Sequence, residues 1–357
     1  MNSAGFVLLL WNIVNLLIIC EGNVLKEKVE KSFASADLLV AHVNGQQSSW
    51  KAKLNAKKAK LNVKFAKMTP EEQQQLMGSR RPFLEPITKS TKQQNGKPGL
   101  NKADIPLNFD ARQHFYKCAD IIGKIQDQSA CGSCWAVSVA SVITDRICIA
   151  SDGAQRANIS ALDLLSCEPH SFGCRGGWED KAFEHYVKRG LCTGSDFEAN
   201  RGCKPYPFAP VPHPSNVPLH KTPKCAHRCP NGEYTSTYAK DKFYGKNMGV
   251  LDDGNVEAIQ AEIMRAGPVT AAFRVYEDFG HYASGVYQHV AGKYRGGHAV
   301  RVIGWGYDTD SKLPYWLVAN SWNTAWGDGG FFKIRMGTDE CGFETSGICF
   351  ADPDQSN

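Results

Sequence analysis

Beyond residue 20 the sequence has no apolar run long enough to cross a bilayer. A protein with membrane spans in its body is therefore excluded. Residues 23–103 contain no cysteine, although the chain of 357 residues has 13, so no disulfide fastens that stretch to the rest of the chain. Internal repeats are absent too, which excludes a solenoid or propeller. The one apolar run, FVLLLWNIVNLLIIC at residues 6–20, has no basic residue ahead of it and is short for a span. Cys20 and Gly22 put small residues at the −3 and −1 positions of a cut after Gly22. Residues 1–22 therefore read as a secretory signal peptide, with a membrane anchor as the alternative.

What is present fits an exported globular protein. Hydrophobic residues at 42% and charged residues at 22% are ordinary for a folded chain, and the length suits about two domains. The cysteines suit an oxidising compartment. Twelve remain after Cys20, between Cys118 and Cys349. If one of them is a working thiol, the number left is odd, and at least one more is free or paired to another chain. Charge is divided unevenly. Residues 23–103 hold 16 Lys and Arg against 6 Asp and Glu, a net of +10, while residues 104–357 hold 25 against 29, a net of −4. A basic arm for nucleic acid fits poorly with export. A segment held partly by charge to its own acidic body fits better.

Residues 48–78 place Trp50, Leu54, Leu61 and Phe65 at spacings of four and seven, which predicts an amphipathic helix. The adjoining KSTKQQNGKPGLNKADIP, residues 89–106, is a polar linker of the kind where proteolytic nicking concentrates. From Cys118 to about Cys192 helical patterns lead: CWAVSVASVITDRICIA, SALDLLS and WEDKAFEHYVKRG, with Ser160 and Asp163 as a capping pair. From about Pro268 strand patterns lead: VTAAFRVY, HAVRVIGWG, YWLVANSW and GGFFKIR. The expected class is α+β. Residues 203–225 lie between, with seven of the 17 prolines. They predict a stiff loop stapled at its ends rather than a helix or central strand.

Cys131 and Cys134, three apart in DQSACGSCWAVSVASVITDRIC, allow three readings. A zinc site needs a second pair, for which Cys225 and Cys229 are available. A thioredoxin-type dithiol needs a preceding strand in a small βαβ unit, which the pattern does not offer. The third reading is a disulfide partner beside a nucleophile. Trp135 and the apolar run after it favour the third, because they set Cys134 in the first turn of a helix. Free N–H groups and the helix dipole there stabilise a thiolate, and a thiolate is the working nucleophile. Gln128, six residues upstream, is close enough for its amide to join the Cys134 N–H in stabilising an oxyanion.

QSACGSCWA, GGHAVRVIGWG, YWLVANSWNTAWGDGGFFKI, DRICI, GVYQHV, TPKC and CGFE together resemble the cathepsin B type of papain-like cysteine peptidase, over roughly 250 residues from about Asp104. The resemblance implies a papain-like fold of two domains, helical at about 118–265 and β-barrel-like at about 266–350, with the active site in the cleft between them. It implies that 104–357 is the mature peptidase and 23–103 an inhibitory propeptide. It implies roles as well: Cys134 as nucleophile, His298 as its base, Asn320 as the group orienting the imidazole, Gln128 as oxyanion donor and Trp322 as the indole shielding the Asn–His bond. His298 is one of ten histidines and stands out by pattern only through its Gly-Gly-His context. Gly176 and Gly177 match the glycines along which substrate backbone lies, close approach being possible without a side chain. A thiolate–imidazolium pair would attack the peptide carbonyl, His298 would protonate the leaving amine, and water would hydrolyse the thioester, each acid–base step contributing about 10²–10⁴-fold. No cofactor and no metal are implied.

Departures from the family carry expectations of their own. Residues 203–225 match the family's occluding loop, but the loop is shorter, lacks its internal disulfide, and has His213-Pro214 where the family has two adjacent histidines. One charge-assisted bond to a substrate's C-terminal carboxylate is left, so dipeptidyl-carboxypeptidase activity is expected to be weak and endopeptidase activity retained. Ser346 stands where the family often has an acidic residue. The pocket for the second residue before the cut is thus expected to favour apolar side chains. The resemblance implies disulfides Cys118–Cys148, Cys131–Cys174, Cys167–Cys225 and Cys203–Cys229, and leaves Cys192, Cys341 and Cys349 open. Asn158-Ile159-Ser160 is the one permitted sequon.

Residues 23–103 are expected to cover the cleft until the linker is cut. Expected partners are protein and peptide substrates, the chain's own propeptide and cystatin-type inhibitors, with neither nucleic acid nor a membrane anchor. The expected location is the secretory pathway, ending in a lysosome-like compartment or outside the cell. The rival reading is a catalytically inactive relative that binds peptides or inhibitors.

Overall fold

The computed structural model describes residues 33, 35–54, 77–81, 104–210 and 219–355. The signal-peptide reading, most of the linker, residues 55–76 and His213 lie outside them. Its longer helices are α1 (Ala36–Gln46), α2 (Cys134–Ala150), α3 (Ala161–Cys167), α4 (Glu179–Arg189) and α5 (Val256–Ala266). Its strands are β1 (Trp50–Ala52), β2 (Phe109–Asp110), β3 (Gly245–Leu251), β4 (Val269–Tyr276), β5 (Tyr282–Tyr287), β6 (Tyr294–Asp308), β7 (Leu313–Ala319), β8 (Phe331–Arg335) and β9 (Ile348–Pro353). None of the helices among the described residues is long and apolar enough to cross a membrane.

The helical lobe is built round α2. Fourteen of its 17 residues are buried, the mark of a helix apolar on all sides and therefore central. α3 and α4 flank it through Leu164, Leu165, Ala182, Phe183 and Tyr186. Ser160 caps α3 by accepting from the Asp163 N–H at 3.0 Å. The Asp163 carboxylate does not complete the capping box; it is buried against Lys204 at 2.7 Å and Lys242 at 3.0 Å.

The second lobe is a sheet in the order β1-β5-β8-β7-β6-β4-β9-β3, with β2 beside β6. The β5–β8 pair is parallel and its neighbours are antiparallel. α1 and α5 pack on it through Leu39, Val43, Ile259 and Ile263. The change between lobes comes earlier than residue 265. β3 already belongs to the sheet through β9, and α5 is buried in the sheet lobe's core. The lobes also exchange chain: Cys349 and Ala351 of β9 pack in the helical core, and Phe109 of β2 stacks on Trp305 of β6 at 4.7 Å. Arg301 of β6 pins the lobes from inside, holding Asp145 of α2 at 2.7 Å with both groups buried.

The helix expected over 48–78 is corrected at its start, where Trp50–Ala52 is a strand antiparallel to β5. Trp50 and Ala52 point inward and Lys51 outward. The Trp50 ring meets Tyr287 at 5.1 Å and Tyr282 at 6.1 Å, and its Nε1 donates to the Gln288 carbonyl at 2.9 Å. A free strand edge and an aromatic pocket on the sheet lobe outweigh the local helical spacing.

Candidate active site

Cys134 is the first residue of α2, after Ser133 at the cap. Its buried Sγ accepts from the Ala299 N–H at 3.4 Å and the Gly78 N–H at 3.2 Å. The first of these brings β6, and with it His298, against the helix start. Arg301 of β6 lies opposite Ala319 of β7, and this register sets Asn320 beside His298. The imidazole Nε2 is 2.8 Å from Asn320 Oδ1. That oxygen also accepts from the Ser321 N–H at 2.8 Å, which fixes it as an acceptor. Nε2 therefore carries the hydrogen, and the lone pair of the neutral ring is on Nδ1. Nδ1 is buried and has no hydrogen-bond partner among the described residues. Trp322 lies over the ring at 4.6 Å and 29°, backed by Phe279 at 5.6 Å.

Gln128 is buried on the loop ahead of α2. Its Nε2 donates to the Cys131 carbonyl at 2.9 Å, and its Oε1 accepts from the Ser321 hydroxyl at 2.7 Å. One lobe thus sets the amide's nitrogen and the other its oxygen. Ser321 went unremarked in the sequence; only its place after Asn320 hinted at it.

Burial dominates the electrostatics. It pushes the Cys134 thiol up to about 12, against the pull of the Ala299, Gly78 and Trp135 N–H groups. It also pushes the His298 imidazole down to about 4, against its bond to Asn320. Burial therefore favours the neutral form of both groups here, against the ion pair expected of the open enzyme. The cause is a cover: residues 77–81 run through the cleft. The Ser79 N–H donates to the Gly297 carbonyl at 3.0 Å, the Arg80 N–H to the Gly177 carbonyl at 3.1 Å, and the Gly177 N–H to the Gly78 carbonyl at 2.8 Å. The Arg80 guanidinium lies over Phe172 at 4.6 Å, next to Gly176. Arg81 is 3.4 Å from Asp180, an ion pair between the basic segment and the acidic body.

The four disulfides are Cys118–Cys148, Cys131–Cys174, Cys167–Cys225 and Cys203–Cys229. They remove the zinc and dithiol alternatives, since Cys131, Cys225 and Cys229 each have another partner. Cys192, Cys341 and Cys349 are free thiols. Cys192, Cys203 and Asp241 lie close together, but Cys203 is bonded to Cys229. The described parts of 203–225 form neither helix nor strand. In the sequon, Asn158 is half-buried and the Ser160 hydroxyl is turned inward to the Lys204 carbonyl at 2.6 Å. Ser346 is half-buried and brings no charge. Glu179, which no sequence motif singles out, is buried beside Arg81.

Fold and site define a two-lobed cysteine peptidase closed by part of its own chain. The model of the papain family cysteine protease matches residues 105–351. Cathepsin B-like cysteine proteinase 6 of Caenorhabditis elegans is 45% identical over 331 residues, covering 88% of this chain and 83% of the relative. The cathepsin B-like cysteine proteinase of Schistosoma japonicum is 39% identical, covering 93% and 95%. Procathepsin B S9 from Trypanosoma congolense superposes with a TM-score of 0.71 at 34% identity, covering 90% of this chain and 99% of that one. The chain belongs to the papain family of cysteine proteases, among its cathepsin B-like members, and is folded here as a zymogen.

Proposed function

We propose that this chain is the precursor of an endopeptidase of the secretory pathway that cuts peptide bonds with Cys134. The observation that carries the reading is the state of His298. One ring nitrogen is held by Asn320, and the other presents an unpartnered, buried lone pair on the strand that touches the Cys134 sulfur. Once residues 77–81 leave, water and an open helix end favour the charged pair. Nδ1 takes the thiol proton, and Sγ attacks the substrate carbonyl carbon. The oxyanion is stabilised by the Cys134 N–H with Gln128. His298 then returns the proton to the leaving amine, and water hydrolyses the thioester.

Residues 1–22 are proposed as the export signal, 23–103 as the cover and 104–357 as the mature enzyme, released by cutting in the linker. The cleft so opened suits cystatin-type inhibitors as well as peptides, and delivery is to a lysosome-like compartment or outside the cell. With His213 as the one loop histidine of its pair, cleavage inside chains exceeds removal of C-terminal dipeptides. The inactive-relative reading has no observation of its own in its favour. Cys134→Ala in the processed protein is expected to abolish peptide cleavage and labelling by a thiol-directed epoxide. Undiminished turnover in that variant would refute the reading. Matched peptides with free and amidated C-termini test the exopeptidase clause.

A further inference from the structure

Arg81 is only 4% exposed, and its guanidinium packs against Gly347, where an added Cβ would meet Nη1 at 2.5 Å and Cζ at 2.9 Å. Nη2 is 3.4 Å from Asp180 Oδ2. Glu179, 1% exposed, faces the same guanidinium from the start of α4, two residues after the Gly177 that binds the covering backbone. Neither Glu179 carboxylate oxygen has a hydrogen bond of good geometry among the described residues, nor have Nε and Nη2 of Arg81. Other buried carboxylates have partners within the body: Asp145 has Arg301, Asp163 has two lysines, and Asp278 has Tyr287 and two backbone N–H groups. Apart from its own backbone N–H, the groups that favour a charge on Glu179 are Arg81 and the Ser79 hydroxyl, both of the covering segment.

We propose that Glu179 is a specificity-determining residue. With Asp180 and the bare backbone at Gly347 it forms a guanidinium-binding subsite, so the enzyme prefers peptides with arginine as the second residue before the cut. This rests on the peptidase reading above. It reverses the apolar preference expected from Ser346. Residue 346 is uncharged, but Glu179 supplies a carboxylate beside Arg81 and Gly347. A planar guanidinium packed against Gly347 presents several donors to the two acidic groups, as a compact ammonium cannot. Arg81 is the group that fills the subsite in the precursor.

The test uses the full chain after processing, with two fluorogenic peptides that differ only in arginine or citrulline as the second residue before the cut. Citrulline keeps the shape and removes the charge. Arginine is expected to be favoured at least about tenfold in kcat/KM, the size of one charge-assisted hydrogen bond, and Glu179→Gln to bring the ratio within about twofold of one. A ratio near one in the unsubstituted protein, or an unchanged ratio in Glu179→Gln, overturns the proposal. Should the variant fail to fold, the unsubstituted ratio decides alone. If neither peptide is turned over, the peptidase reading fails by itself. The subsite is then read from the Kd of the same two peptides: tighter binding of the arginine peptide supports it, and equal binding overturns it.

Discussion

Gly78 has no room for a side chain. A Cβ there would lie 2.0 Å from the Gly132 carbonyl oxygen and 2.4 Å from its carbon. Those are backbone atoms held by the neighbouring Cys131–Cys174 disulfide and by the Gly132 N–H on the Cys174 carbonyl at 2.9 Å. In Gly78→Ala the covering segment must therefore move rather than the wall. Overpacking of this kind costs about 1–3 kcal/mol. The bonds it strains are those from Gly78 to the Cys134 sulfur, from Gly177 to Gly78 and from Ser79 to Gly297, each worth about 0.5–1.5 kcal/mol net. The overpacking alone raises the uncovered fraction about 5- to 150-fold. The assay is the rate at which a small thiol-directed epoxide labels Cys134 in the unprocessed chain. It is run cold at neutral pH, for times short enough that gels show no cleavage, with the half-buried Cys341 as an internal control. At least fivefold faster labelling at Cys134 alone is expected. Equal rates in the two proteins would show that this contact is not what closes the site.

In the unprocessed Cys134→Ala chain, the His298 ring proton followed by NMR should titrate near 4, and near its ordinary 6.5 once the cover is gone, because burial lowers it. The uncovered state then binds an extra proton between those values, so the imidazole's contribution to closure is lost as pH falls from 6.5 towards 4, by up to about 3 kcal/mol. Glu179, raised to about 7 by burial, acts in the opposite sense, so titration of the ring itself is the measurement; a value of 6.5 in the covered chain would refute the burial argument. Ser321→Ala removes the hydroxyl that holds Gln128 Oε1 and should lower kcat about tenfold or more with little change in KM, read by steady-state kinetics on titrated active sites. Arg301→Met leaves the fully buried Asp145 without its partner, a cost of about 3–5 kcal/mol. The midpoint of thermal unfolding should fall on the order of 10 °C, and a fall of a degree or two would show that Asp145 is not held this way.

Much of the site could be read before any coordinates. The apolar run after Cys134 announces a buried helix, and a helix start is where a thiol is best activated. The pairing of His298 with Asn320 was implied by the family resemblance of Gly-Gly-His and Ala-Asn-Ser-Trp, and the β6–β7 register brings the two side chains together. Glu179 was not legible in the same way. An acidic residue in a first turn is ordinarily solvated, and nothing local says that Arg81, almost a hundred residues earlier in the chain, lies against it. Trp50–Ala52 misled for a related reason: spacings of four and seven describe a helix, yet three residues added to an open strand edge follow their partner.

The sequence alone determined the local chemistry: which sulfur opens a helix, which lengths of chain form strands, and which loop is stiffened by proline. Those properties depend on neighbours a few residues away. The tertiary structure alone decided the protonation of the paired thiol and imidazole, the charge of the side-chain subsite and the identity of the segment across the cleft. Each depends on which distant groups exclude water from a given atom, and that exclusion exists only once the lobes and the covering segment have come together.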